Sequence, residues 1–267
     1  MNGTLALLIA LVSYGNLYLK RDTRLPKLDF KNSTLVFCNT LEFNNISNGS
    51  SKKTTVANSP EQWFDFLKKD GCKELKIYYQ HSDESKLKDF ESAGFFGGGG
   101  EWIIEAVYEN YANYWVGTED ITKPEAKDKR IWSIRFSILK KKAPILNLSI
   151  STQQAKINLA ESLTKIIAFA SMNINDYWTN IFKDAYSNLD NRQPSAKYYK
   201  DFFINKSYSL GSRQLLTSAN ITYAFGGMGS WKDIAYADDD DEKLGTDLTA
   251  DLYNRVNEAI IVALNNN

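Results

Sequence analysis

One histidine, two cysteines and thirty-two carboxylates bound the chemistry open to this chain of 267 residues. Zinc sites draw on several His or Cys ligands, and His81 has only Cys38 and Cys72 to join it, neither in a C-x-x-C arrangement. A nucleophile activated by a base would have to run through His81. That residue falls at the end of an expected strand and before a helix cap, where a hydrogen-bonded turn histidine is the plainer reading. No catalytic residue, metal ligand or cofactor is therefore assigned. Glu101, Glu105 and Glu109 share the period of one strand face and could supply paired carboxylates, although such a row is commoner on the exposed face of an edge strand. The run "DDDDE" at 238–242 invites a calcium reading. An EF-hand loop counted from Asp238 would need glycine at Lys243 and glutamate at Thr249, so a solvated acidic loop is expected.

Two glycine-rich blocks carry the remaining chemistry. The run 97–100 leaves an expected helix and enters a strand, the reverse of a phosphate-binding loop, which opens a helix with its free amides. It reads as a backbone hinge where side chains would collide. The second block, "AFGGMGSWKD" at 224–233, is neither a nucleophile elbow nor a dinucleotide fingerprint. Gly226 and Gly227 read as the left-handed stop of the preceding helix. Gly229 then reads as a close backbone approach, with Ser230 and Asp233 capping a short helix from Trp231. If the two blocks border one cavity, Trp102, Glu105, Gly227, Gly229, Ser230, Trp231 and Asp233 are the candidate ligand-binding residues.

The elements that must position these groups follow from pattern. Residues 33–43 read as a strand, Ser59-Pro60-Glu61 as a helix start with Pro at the first helical position, and 73–80 as a second strand. A short helix over 82–93 and one long strand through 101–117 follow. The segment "DKRIWSIRFSILKKK" pairs antiparallel with that strand across the stretch around Pro124, and "ILNLSI" at 145–150 reads as a further short strand. Ser151 and Gln154 open a helix. Ile174, Tyr177, Trp178, Ile181, Phe182, Ala185, Tyr186 and Leu189 define another, with those aromatics in the core. A last helix is expected from Thr246 to Leu264. The fold class is α+β: a mixed, mainly antiparallel sheet with short helices, then a helical part packed on it. The divisions are 1–30 as extension or first element, 31–150 as sheet and 151–267 as helices, open to being one continuous domain.

Charge is balanced overall, with 32 basic and 32 acidic side chains, so no global field recruits nucleic acid or an anionic membrane. The ends are polarised: residues 1–58 carry seven basic and three acidic groups, and 233–267 two basic and nine acidic. The basic stretch 123–142 interleaves Trp132 and Phe136, but period-2 alternation puts both opposite Arg135. Stacking on nucleic acid needs aromatics and cations on one face, so a half-buried strand is expected and no nucleic-acid partner. The first nineteen residues lack charged side chains. Asn2, Ser13, Gly15 and Asn16 dilute them below a spanning helix, which favours a buried first element and a cytoplasmic protein over an anchor or export signal. Cys38 and Cys72 are too few for a disulfide framework, and whether they pair stays open.

"GFFGGGGEWIIE", "RIWSIRFS" and "AFGGMGSWKDIAY" together resemble the signatures of a bacterial protein family without established activity, with a G-G-G-G-x-W-x-I-E block and a C-terminal F-G-G-M-G-S-W-N-D. The resemblance runs from Thr34 to the C-terminus and leaves out residues 1–30. Lys232 stands where that pattern has Asn. It implies a bacterial origin and a shared fold and transfers no catalytic residue. Two functions follow as expectations. The first is a non-catalytic interaction protein, of the immunity type that neutralises a toxin, using Asp238, Asp239, Asp240 and Asp241 or Arg130 and Arg135. The alternative is an enzyme or small-ligand binder with its site between the glycine blocks.

Overall fold

The computed structural model describes residues 1–20, 26–46, 53–82, 100–226, 230–236 and 238–266. The expected helix over 82–93 falls almost wholly outside these residues, as do Gly97 to Gly99 and Gly227 to Gly229.

Helix α1 (Gly3–Leu19) is apolar on every side, and a helix of that kind belongs inside a core. It is buried from Leu5 to Gly15 and packs against α2 (Pro60–Lys69), β3 (Glu74–Gln80), β4 (Glu101–Val107) and the last helix. The residues that dilute its apolar run are its docking points. Ser13 accepts from the amide of Ile204 at 3.0 Å, and Tyr14 donates to the carbonyl of Asp201 at 2.9 Å. At Gly15 a Cβ would sit 2.5 Å from Leu75 Cδ1 and 2.8 Å from Phe64 Cε1, so only glycine lets the helix approach this closely. No helix among the described residues is long and apolar enough to cross a membrane.

Six strands form one sheet in the order β2-β1-β6-β5-β4-β3, with β1 Cys38–Ile46, β2 Lys53–Ala57, β5 Ala112–Ile121 and β6 Trp132–Ala143. All neighbours are antiparallel except β1 and β6. On the α2 face, Phe43 stacks between Trp63 (4.6 Å) and Phe136 (5.3 Å), with Trp115 edge-on to Trp63. Helices α3 (Thr152–Asn173), α4 (Asp176–Asn188), α5 (Leu210–Thr222) and α6 (Asp239–Asn265) pack together, and α6 also lies against β3. The chain is α+β, sheet first and most helices after it.

Several expectations need correction. Tyr177 and Tyr186 of α4 are 65% and 45% exposed, so of its aromatics only Trp178 and Phe182 reach the core. The span 101–117 is not one strand: it reverses at Tyr108–Tyr111, where the Tyr108 amide donates to the Tyr111 carbonyl at 2.8 Å and the two rings stack. Residues 145–150 form no strand, because Pro144 follows β6 directly and side chains take over the backbone bonding, as described below. Helix α5 ends at Thr222 with Tyr223 as its cap, upstream of Gly226, so glycine is not its stop. Residues 238–242 are no loop: Asp238 caps α6, accepting from the Asp241 amide at 2.9 Å, and four acids fill the first turn. Carboxylates there face the positive end of the helix dipole.

Candidate functional site

Strand β3 ends the sheet, and its outward amides and carbonyls would be open to pairing with another chain. Two asparagines close that edge. Asn16 of α1 accepts from the Leu75 amide at 2.6 Å and donates to the Leu75 carbonyl at 2.8 Å. Asn265 of α6 does the same at Ile77, at 2.9 and 2.8 Å. The second clamp holds α6 against β3, and a cleft of about 390 Å³ lies along that seam. Tyr79 and His81 from the end of β3 line it, together with Leu148 and Ile150 from the segment after β6 and the 251–261 stretch of α6.

Each wall has a local cause. Residues 144–150 are fixed by side chains in place of a ladder. Glu105 accepts from the Leu146 amide at 2.6 Å, Tyr78 donates to the Leu146 carbonyl at 2.8 Å, and Asn266 donates to the Ile150 carbonyl at 2.8 Å. On α6, Asp251, Asn254, Arg255, Glu258 and Ile261 recur at helical spacing and form one ridge. Arg255 lies between two carboxylates, its Nε 3.4 Å from Asp251 and its Nη1 3.3 Å from Glu258. Asn158 of α3 also donates to Glu258, at 2.8 Å. Tyr79 is held from several sides: its hydroxyl lies 3.0 Å from that of Tyr253 and accepts from the Gly100 amide at 2.8 Å, and its ring packs on Trp102 at 5.0 Å.

Asn257 is the exceptional residue in this lining. It is 3% exposed, and neither its Oδ1 nor its Nδ2 has a hydrogen-bond partner. A buried carboxamide left unpaired costs on the order of 1–3 kcal/mol per group.

The residues singled out from sequence divide between places. Trp102 backs the cleft through Tyr79. Gly100 fits against the chain so closely that a Cβ would meet the Gln80 carbonyl oxygen at 2.2 Å. Phe225, near the start of the second glycine block, packs edge-on to Tyr253 at 5.0 Å, so the Tyr79–Tyr253 pair links Gly100 of the first block to Phe225 of the second. Trp231, Ser230 and Asp233 lie elsewhere. Trp231 is fully buried against Trp178 and Phe182 and donates to Thr249 at 2.7 Å, while the Ser230 amide donates to Asp233 at 3.1 Å and closes the short turn Trp231–Asp233. Gly227 and Gly229 are outside the described residues.

Glu105 is not on an exposed edge face. It lies on β4, one strand in from the edge, fully buried under Leu146, with Oε2 unpartnered; burial raises its pKa above the ordinary carboxylate value. Glu101 begins the same strand and Glu109 falls in the hairpin turn, so the three make no exposed row.

The charged candidates have partners within the fold. Asp241 accepts from Asn173 at 3.0 Å, Arg135 pairs with Asp120, and Arg130 lies over the Phe30 ring at 5.7 Å. Asp239 and Asp240 remain exposed in the first turn of α6. Cys38 and Cys72 are both free and buried. Burial pushes their thiols up to about 11 and about 12. No group of three or more His, Cys, Asp or Glu among the described residues is placed to hold a metal ion.

The 251–258 ridge escaped sequence reading because the apolar stripe of α6, from Leu248 to Leu264, drew attention to the opposite side of the helix. The available signal was two asparagines, Asn254 and Asn257, amid alternating charge on a helix with one buried face. Comparison with known proteins found no matching family model, no matching curated protein and no matching solved structure. The resemblance of the glycine blocks to a bacterial family thus rests on those motifs alone.

Proposed function

We propose that this chain is a small-ligand-binding protein whose site is the β3–α6 cleft. The observation that carries the reading is Asn257, a buried carboxamide with neither polar atom bonded to the protein, in the wall of a cavity of about 390 Å³. Folded proteins pair nearly all their buried polar groups, so each exception calls for an explanation, such as a water, an ion or a ligand that supplies the partner. Tyr79 and the 144–150 segment form a wall held from behind by hydrogen bonds, the preorganisation that a binding site needs. The test is a thermal-shift and NMR screen of a metabolite library against wild type, Ile261→Trp and Leu148→Trp, two substitutions that fill the cleft from different walls. A ligand that stabilises wild type and is lost in both variants supports the reading. Hits that persist in both variants, or a library without hits, count against it.

A second reading, a protein that neutralises a partner, draws on another region. Phe37 and Ile121 are each 53% exposed at the end of the sheet where the Trp132 amide donates to the Phe37 carbonyl at 3.1 Å, and the loop 122–131 adds Lys123, Lys127, Lys129 and Arg130 against Glu125 and Asp128, a basic excess. An apolar patch rimmed by cations suits an acidic protein partner. Affinity capture at low and high salt with wild type and Phe37→Asp tests it. A single identified acidic partner, retained only by wild type and released by salt, is the supporting result.

A further inference from the structure

We infer that the cleft's ligand is a small organic cation, an ammonium or guanidinium on a short aliphatic stem. The inference rests on the ligand-binding reading above and adds the chemical class. Three features of the lining point the same way. First, the charges do not balance: Asp251 and Glu258 are acidic, and Arg255 is the one Arg or Lys of the lining. Arg255 is stretched between the two acids at 3.4 and 3.3 Å, both long for charge-assisted hydrogen bonds. An anion entering the cleft would meet two carboxylates and a guanidinium already engaged by both. A cation would offset the surplus negative charge.

Second, the aromatic wall suits a cation. Tyr79 is fixed by its hydroxyl bonds to Gly100 and Tyr253, and ring faces attract ammonium and guanidinium groups. Third, Leu148, Ile150 and Ile261 give an apolar bed for a methylene stem. Asn257 completes the set. Its two polar atoms are closed off from the cleft as the side chain stands, but they forfeit no protein hydrogen bond when the carboxamide turns to offer its oxygen to an N–H of the ligand.

The experiment uses four probes of matched length: butylguanidinium, butylammonium, butanol and butyrate. Each is titrated into the full chain while the Trp102 and Ile261 signals are followed by NMR at low and physiological salt. The expected result is saturable binding of the two cations, with dissociation constants at least fivefold below those of butanol and butyrate. Asp251→Asn, which removes one charge from a partly exposed site, should weaken cation binding by about fivefold. Glu125→Gln, outside the lining, should leave it unchanged.

Equal or tighter binding of butanol or butyrate, or cation binding indifferent to Asp251→Asn, overturns the inference. So does the absence of binding by all four probes. In that last case the library screen separates the two claims. A cleft-dependent ligand that is neutral or anionic keeps the binding site and removes the cation, whereas no cleft-dependent ligand removes both.

Discussion

Replacing Asn265 by alanine tests the bond on which the seam between sheet and helices depends. The wild-type carboxamide makes two hydrogen bonds to one residue, 2.9 Å from the Ile77 amide and 2.8 Å to its carbonyl, and Ile77 is fully buried. Alanine leaves that amide and carbonyl facing a dry interior, at about 1–3 kcal/mol for each group left unpaired. Alanine is also the better helix former, by about 0.5 kcal/mol. The backbone loss is several times larger, so the variant should be destabilised by about 1.5–5.5 kcal/mol. In a domain of this size that lowers Tm by about 3–22 °C. Asn265→Asp separates the two bonds. It keeps the acceptor for the Ile77 amide and loses the donor to the carbonyl, so it should fall between wild type and alanine at neutral pH and recover partly once acid protonates it. Urea unfolding followed by circular dichroism reads the free energy. A cost below about 0.5 kcal/mol for Asn265→Ala, or equal costs for Ala and Asp at every pH, would refute the argument that this side chain stands in for a missing strand.

Gly15→Ala gives a test in which local and tertiary preferences oppose each other. Helix propensity favours alanine by about 1 kcal/mol, yet its Cβ would lie 2.5 Å from Leu75 and 2.8 Å from Phe64. Overpacking costs about 1–3 kcal/mol, so a net loss of up to about 2 kcal/mol is expected, and a stabilised variant in the same urea titration would contradict the close approach. Glu105→Gln probes the buried carboxyl. Its folded pKa is raised by burial above its ordinary 4.5, so the fold holds a proton that the unfolded chain has released, and this contribution is lost as pH rises from 4.5 through the folded value. Wild type should therefore lose stability relative to Glu105→Gln between pH 4.5 and 7, and a difference flat across that range would sink the reading. For the cysteines, thiols pushed up to about 11 and about 12 should not react with a disulfide reagent in the native state at pH 7. Both should react in denaturant, and rapid native labelling of either would contradict its burial.

What could be read from the sequence and what could not divides along the range of the interactions. Caps and hairpins are settled within a few residues. Ser59 before Pro60, Ser151 before Gln154 and the β5–β6 pairing across Pro124 were legible, and the structure has all three. The misreadings arose where a distant part of the chain decides the outcome. Glu105 follows the pattern of a solvent-facing strand residue, and only the return of Leu146 over it makes it a buried lock. Residues 145–150 carry strand-forming side chains, but Pro144 and the hydroxyl and carboxamide partners from Tyr78 and Asn266 leave their backbone without a neighbouring strand. The acids at 238–242 looked like a solvated run because charge composition does not reveal that a helix begins beneath it. Asn16 and Asn265 show why the candidate site was hidden. A polar residue within or at the end of an apolar helix reads as dilution or as a surface position, whereas here the two carboxamides occupy the unpaired edge of β3. The distinction between an asparagine that satisfies backbone and one that is still unsatisfied depends on contacts far apart in sequence. Asn265 and Asn257 sit eight residues apart on the same helix, the first fully bonded and the second with neither atom bonded. That contrast within α6 is what separates a structural clamp from a group that awaits a partner.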